Sequence, residues 1–187
     1  GVRVDSRAMP LRRLAVGLAV TLAFAVGAAA APGAPPAADA VLAAAAKEAR
    51  AGKRSVLVVF HASWCGWCRK LEAVLAAPKA KEVLERHYVR AELTVLERGE
   101  KEALENVGAE ELLSSLAGKD AGLPFVAVLD RKRRPLATSN LSGPGTNVGF
   151  PAKAEELDHF VSMLRQGAPR MTGAEAAELR AAFPAPK

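Results

Sequence analysis

Apolar positions along the chain recur with two different periods. Residues 56–60, Val-Leu-Val-Val-Phe, are continuously apolar and largely β-branched, which predicts a strand covered on both faces of a sheet. Residues 88–95 alternate instead. Val89, Ala91, Leu93 and Val95 fall on one side and Arg90, Glu92 and Thr94 on the other, the pattern of a half-buried strand. Residues 125–129 and 135–138 predict two short strands. The basic run Arg131-Lys132-Arg133-Arg134 between them reads as the solvated turn of an antiparallel hairpin.

Between these runs the period is helical. Asp39 is the expected N-cap of an Ala-rich helix over residues 40–51, closed by Gly52. Residues 65–77 place Cys68, Leu71, Val74 and Leu75 near one face. Pro78 interrupts them, and residues 79–86 begin a new helical stretch. A short helix is predicted over 109–116, and an amphipathic one over 152–164 with Leu157, Phe160, Val161 and Leu164 on one stripe. Thr172 and Glu175 form a capping box for a last helix reaching Phe183. The segment 97–108 reads as a loop whose Glu97–Glu105 charges form a solvated face. Residues 139–151, rich in Gly, Pro and Asn, read as a surface connection, and His87 and His159 as surface residues. The order helix, strand, helix, strand, helix, hairpin, helix predicts an α/β layer fold around a mixed sheet.

Composition narrows the class. A chain of 187 residues that is 50% hydrophobic can bury a real core as one domain. Two cysteines are too few for a disulfide-rich scaffold or a four-cysteine zinc site. Aromatic residues are only 5%, against a binder that stacks single-stranded bases. The net charge is +6, but residues 1–38 hold Arg3, Arg7, Arg12 and Arg13 against Asp5 and so carry +3 of it. The rest is ordinary for a globular domain, and no nucleic-acid partner is expected.

The N-terminal residues read as an address. Arg12-Arg13 precede residues 14–31, which carry no charge and end in small alanines, as in a secretory signal peptide. An uncleaved anchor is the competing reading; the run is Ala-rich and short for a span. A start at Met9 would give a normal signal, and residues 32–38 follow as a Pro/Ala linker. The expected working unit is 39–187, exported to the periplasm or cell envelope, where disulfides persist.

The cysteine chemistry is confined to Trp64-Cys65-Gly66-Trp67-Cys68, fed by a buried strand and leading into a helix. At a helix N-terminus Cys65 would meet unpaired N–H groups and the helix dipole, which favour a thiolate and mark it as the attacking sulfur. Cys68, one turn on and more enclosed, would resolve the mixed disulfide. Trp64 and Trp67 would offer a substrate-facing apolar rim.

Over residues 39–165 the chain resembles the thioredoxin superfamily. The resemblance rests on the strand 56–60, the Trp-Cys-Gly-Trp-Cys segment with its helix, and Gly122-Leu123-Pro124-Phe125 before the hairpin. It implies a thioredoxin-like fold with an extra C-terminal helix, and a cis peptide bond at Pro124 beside the cysteines. The Leu123 backbone would then pair with a bound substrate chain, with Trp64, Gly66 and Trp67 beside it. It also implies thiol–disulfide exchange with protein partners. A monomer that needs no cofactor and trades electrons with a membrane redox partner is the expectation. Three features depart from thioredoxins proper. Trp67 stands where they have Pro, Val59 stands where they keep a buried Asp, and the stretch from Cys68 to Pro124 is longer. Two other readings stay open: a copper metallochaperone using Cys65, Cys68 and His61, and a binding module whose disulfide is structural.

Overall fold

Strand β1 (Ser55–His61) is the centre of the molecule, because residues 56–60 have no polar side chain to turn toward water. In the computed structural model, which describes residues 1–2, 33–117 and 122–185, it lies between two neighbours. Strand β2 (Tyr88–Thr94) pairs with it in parallel, and β3 (Phe125–Leu129) pairs antiparallel on the other side. A hairpin through the basic turn adds β4 (Pro135–Thr138), giving the order β2-β1-β3-β4 in one mixed sheet. The expected signal peptide or anchor, with Met9 and the twin arginines, lies outside the described residues.

Strand alternation divides the core into two. Val56, Val58, Phe60, Val89, Ala91, Leu93, Phe125 and Ala127 face α1 (Ala38–Ala51) and α4 (Ala109–Ala117). Leu57, Val59, Val126 and Val128 face α2 (Gly66–Leu75), α3 (Pro78–His87), α5 (Ala154–Gly167) and α6 (Gly173–Ala181). The result is a helix–sheet–helix sandwich in which both faces of β1 and β3 are covered. Tyr88 carries its ring into the second core and donates its hydroxyl to the Leu164 carbonyl, so burial pushes its ionisation above the ordinary value.

Some local expectations give way to longer-range contacts. Asp39 is not a cap: α1 begins at Ala38, whose amide donates to the Val107 carbonyl at 2.9 Å. That bond satisfies one of the amides that a helix start leaves unpaired, and Ala37, the residue at the cap position, has no polar side chain to serve the others. Asp39 sits in the first turn and instead accepts from Arg133 of the basic turn at 2.5 Å. His87 is buried rather than on the surface. Its Nε2 lies 3.2 Å from Glu175 of α6, within ion-pair range though off the line of a hydrogen bond. His159 is half-buried, with Nε2 donating to the Thr138 carbonyl at 3.0 Å. Pro78 opens α3 as its sequence position suggests, and the Thr172–Glu175 capping box is present.

Candidate functional site

The central strand runs directly into the cysteine pair. After β1 the chain turns through Ala62, Ser63 and Trp64, and the Cys65 amide donates to the Ala62 carbonyl at 3.1 Å. Cys65 is the N-cap of α2, and its sulfur accepts from the Cys68 amide at 3.1 Å. That donor is one a helix leaves without an internal partner, so it favours negative charge on the Cys65 sulfur. Cys65 and Cys68 are joined as a disulfide, with Cα atoms 5.3 Å apart. Cys65 is 3% exposed and Cys68 7%, so the expectation that Cys68 is the more enclosed does not hold in this state. Ala62 and the partly buried Leu123 pack in one cluster with both cysteines.

The two tryptophans flank the disulfide at the surface, Trp64 43% and Trp67 52% exposed. Neither is loose. Trp64 donates its indole N–H to the Leu96 carbonyl at 2.6 Å, and the Arg98 guanidinium lies 4.3 Å from its ring centre. Leu96 adopts φ +55°, a left-handed conformation that costs a non-glycine residue about 1 kcal/mol or more. Trp67 stacks on Phe150 at 5.6 Å, with the Lys70 ammonium 4.0 Å from its ring centre. Gly66 opens α2 between them at an exposed position.

Beneath this rim a carboxylate holds the turn. Glu97 is 6% exposed and accepts from the Ser63 amide at 2.6 Å and the Ser63 hydroxyl at 2.8 Å. Its own amide donates to Glu105 at 2.6 Å. The segment expected as a solvated face therefore turns its first acid inward, onto Ser63, which lies two residues ahead of Cys65.

The second loop at the site carries a cis bond between Leu123 and Pro124, and Pro124 is buried. Asn147 grips it from both ends, donating to the Gly122 carbonyl at 2.6 Å and the Pro124 carbonyl at 3.0 Å. The Asn147 oxygen in turn accepts from the Ser139 hydroxyl at 2.8 Å, and Ser139 accepts from the Val126 amide at 2.9 Å. Residues 139–151 are thus a cradle for the proline turn as well as the source of Phe150.

The stretch of chain that builds this strand-fed disulfide and the cis-proline turn beside it matches a known family model. The description of that model is thioredoxin-like, and it matches residues 37–131, about half of the chain. The chain belongs to the thioredoxin-like family. Among solved structures it is similar to a disulphide isomerase from Xylella fastidiosa Temecula1, at 17% identity over 77% of this chain and 88% of that one, TM-score 0.47. A structure described as DsbH oxidoreductase is similar at 18% identity over 75% and 92%, TM-score 0.44. A thioredoxin from Thermus thermophilus shares 22% identity over 70% and 83%, TM-score 0.42. No curated protein sequence matches the chain.

Within this thioredoxin-like frame the departures have a structural setting. Val59 is buried among the apolar residues of the α2 side, and Glu92, its partner in the β2 register, is exposed and paired with Arg90. No acid takes the vacant place from that neighbour. His61 is half-buried at the end of β1, opposite Thr94. Among the described residues no three His, Cys, Asp or Glu side chains group closely enough to hold a metal ion, so His61, Cys65 and Cys68 are not assembled as a copper site. Glu97, Asn147 and Phe150 are the site residues that pattern reasoning passes over. Only Phe150 carries a local signal, as the one aromatic in a loop rich in Gly, Pro and Asn.

Proposed function

We propose that this chain is an exported protein thiol–disulfide oxidoreductase. The observation that carries the reading is the Cys65–Cys68 disulfide at the start of α2, with an N–H aimed at the Cys65 sulfur and the Leu123–Pro124 turn packed against it. In the reducing direction the Cys65 thiolate attacks one sulfur of a partner disulfide. A Cys65–partner S–S bond forms, and the partner's other sulfur leaves as a thiolate and takes a proton. Cys68, deprotonated, then attacks the Cys65 sulfur, forming the Cys65–Cys68 disulfide and releasing the second partner thiol. Two electrons and two protons pass to the partner, and the reverse sequence oxidises a partner dithiol. Leu123 and Pro124 would position the partner chain, with Trp64, Gly66 and Trp67 as its rim.

Export is proposed from the charge-free residues 14–31 behind Arg12-Arg13, and a membrane dithiol protein as the source or sink of electrons. No helix among the described residues is long and apolar enough to cross a membrane.

The deciding experiment equilibrates residues 32–187 in defined thiol–disulfide buffers and reads Trp64 and Trp67 fluorescence. A potential near about −270 mV means a reductase and one near about −120 mV an oxidant. A pair that never equilibrates with the buffers overturns the reading and leaves a structural disulfide.

A further inference from the structure

Charged side chains around the disulfide are sorted by sign. In the segment after β2 three of the four acids turn onto backbone amides, Glu100 alone staying in solvent. Glu97 receives the Ser63 amide, Glu105 the Glu97 amide and Glu102 the Gly99 amide at 3.2 Å. The cations of the same segment point at the site instead. Arg98 lies over Trp64, and the Lys101 ammonium donates to the Ser63 hydroxyl at 3.2 Å. From the other side of the disulfide, Arg69 donates to the Ser63 carbonyl at 3.0 Å and Lys70 lies over Trp67.

All four cations are exposed, and among the described residues none has a carboxylate within 4.0 Å. Arg90, one strand away, shows the contrast, being paired with both Glu72 and Glu92. A shallow open pocket lined by Gly66, Trp67, Arg69, Lys70 and Ala73 continues this surface along α2. A cation resting on an indole face keeps its charge and its outward N–H groups. Such a rim acts mainly on encounter rate and on discrimination between partners.

We propose that this face selects partner segments whose exchanging cysteines are flanked by carboxylates, with apolar residues of the same segment lying on Trp64 and Trp67. The inference rests on the thiol-exchange reading and names the class of partner it serves. A partner rich in Lys or Arg beside its cysteine would approach four exposed cations that no carboxylate pairs directly.

The test compares three peptides with one cysteine pair, differing only in flanking Glu, Ser or Lys. They are run against the whole chain in whichever direction its measured potential makes downhill. Each rate is divided by that peptide's rate with free dithiothreitol or its oxidised form, which removes the effect of the flanking charges on the peptide thiols themselves. The expected ratio of Glu to Lys peptide is on the order of tenfold at about 0.01 M salt, falling toward unity at about 1 M. The K70Q/R98Q double variant, which keeps Arg69 and Lys101, is expected to reduce the ratio, and K70E/R98E, which sets two added acids against them, to bring it close to unity. Normalised rates within about twofold at low salt, or a ratio that charge reversal leaves unchanged, would overturn the proposal. Failure of the chain to exchange even with dithiothreitol would take down the thiol-exchange reading and this inference together. Normal exchange with dithiothreitol and indifference to peptide charge would take down this inference alone.

Discussion

Glu97 shows how a residue outside the motif controls the geometry of the motif. The Trp-Cys-Gly-Trp-Cys segment is legible because its chemistry is local: a buried strand, a helix start and a three-residue offset are all visible in consecutive positions. Glu97 is not legible, because its partner Ser63 lies 34 positions away and its neighbours are the charged residues of a surface loop. Its two short hydrogen bonds are charge-assisted, and one donor is a backbone amide that stays in place whatever side chain other than proline stands at position 63. Glu97→Ala leaves that amide without a partner in a half-buried turn, and a loss of about 2 kcal/mol is expected from urea unfolding. Glu97→Gln keeps an acceptor for the amide and is expected to lose less. Since Ser63 precedes Trp64, the Ala variant is also expected to shift Trp64 emission. A Glu97→Ala chain no less stable than one with the exposed Glu100 replaced would mean that the clamp contributes nothing.

Helix α6 was legible at one end and opaque at the other. The Thr-x-x-Glu spacing marks its start, and the Thr172 hydroxyl and Glu175 carboxylate do satisfy each other's orphan amides. What the spacing cannot show is that the same carboxylate reaches α3, where Arg86 lies 3.0 Å and His87 3.2 Å from it. Asp39 fails for the matching reason: a good cap residue lost its position to a backbone contact from residue 107. The Thr172 amide first, then the Thr172 hydroxyl and the neighbouring His87, hold the Glu175 carboxyl down at about 2 against an ordinary value of 4.5. A carboxyl whose folded value is lowered contributes stability that is present above about 4.5 and lost as pH falls toward about 2. Glu156, held down by the amides of Ala152 and Lys153 at the start of α5, has the same sign. The wild-type chain is therefore expected to lose stability steeply across that window, and Glu175→Gln to show a shallower slope from a lower plateau. Parallel pH curves for the two proteins would remove Glu175 from the account.

At the scale of the molecule, the match to the family model ends at residue 131 while the core does not. The α/β order and the mixed sheet follow from runs and periods that any short window displays. Which face each helix covers does not, because strand alternation assigns faces only after the pairing is known. On the α2 side, Leu157, Phe160, Met163 and Leu164 of α5, with Met171, Ala176, Leu179 and Phe183 around α6, complete the apolar layer. Phe183 does so at the end of an aromatic column, 5.5 Å from Phe160 below and 5.8 Å from Phe150 above, and Phe150 in turn stacks on Trp67. The C-terminal segment, through Phe183 just past α6, is thus the footing of the exposed tryptophan beside the disulfide, joined to it by packing rather than by chain. Phe183→Ala is expected to cost about 3 kcal/mol, the usual loss for an aromatic cut from a closed core. Deleting residues 169–187 is expected to cost more, since it also uncovers Phe160 and Leu164. In both variants Phe150 loses its support, so Trp67 emission is expected to move to the red and its quenching by acrylamide to rise. A destabilised chain with Trp67 unchanged would make α6 a lid on the core and nothing more. A red-shifted Trp67 would mean that the rim of the candidate site is held in place from more than a hundred residues away.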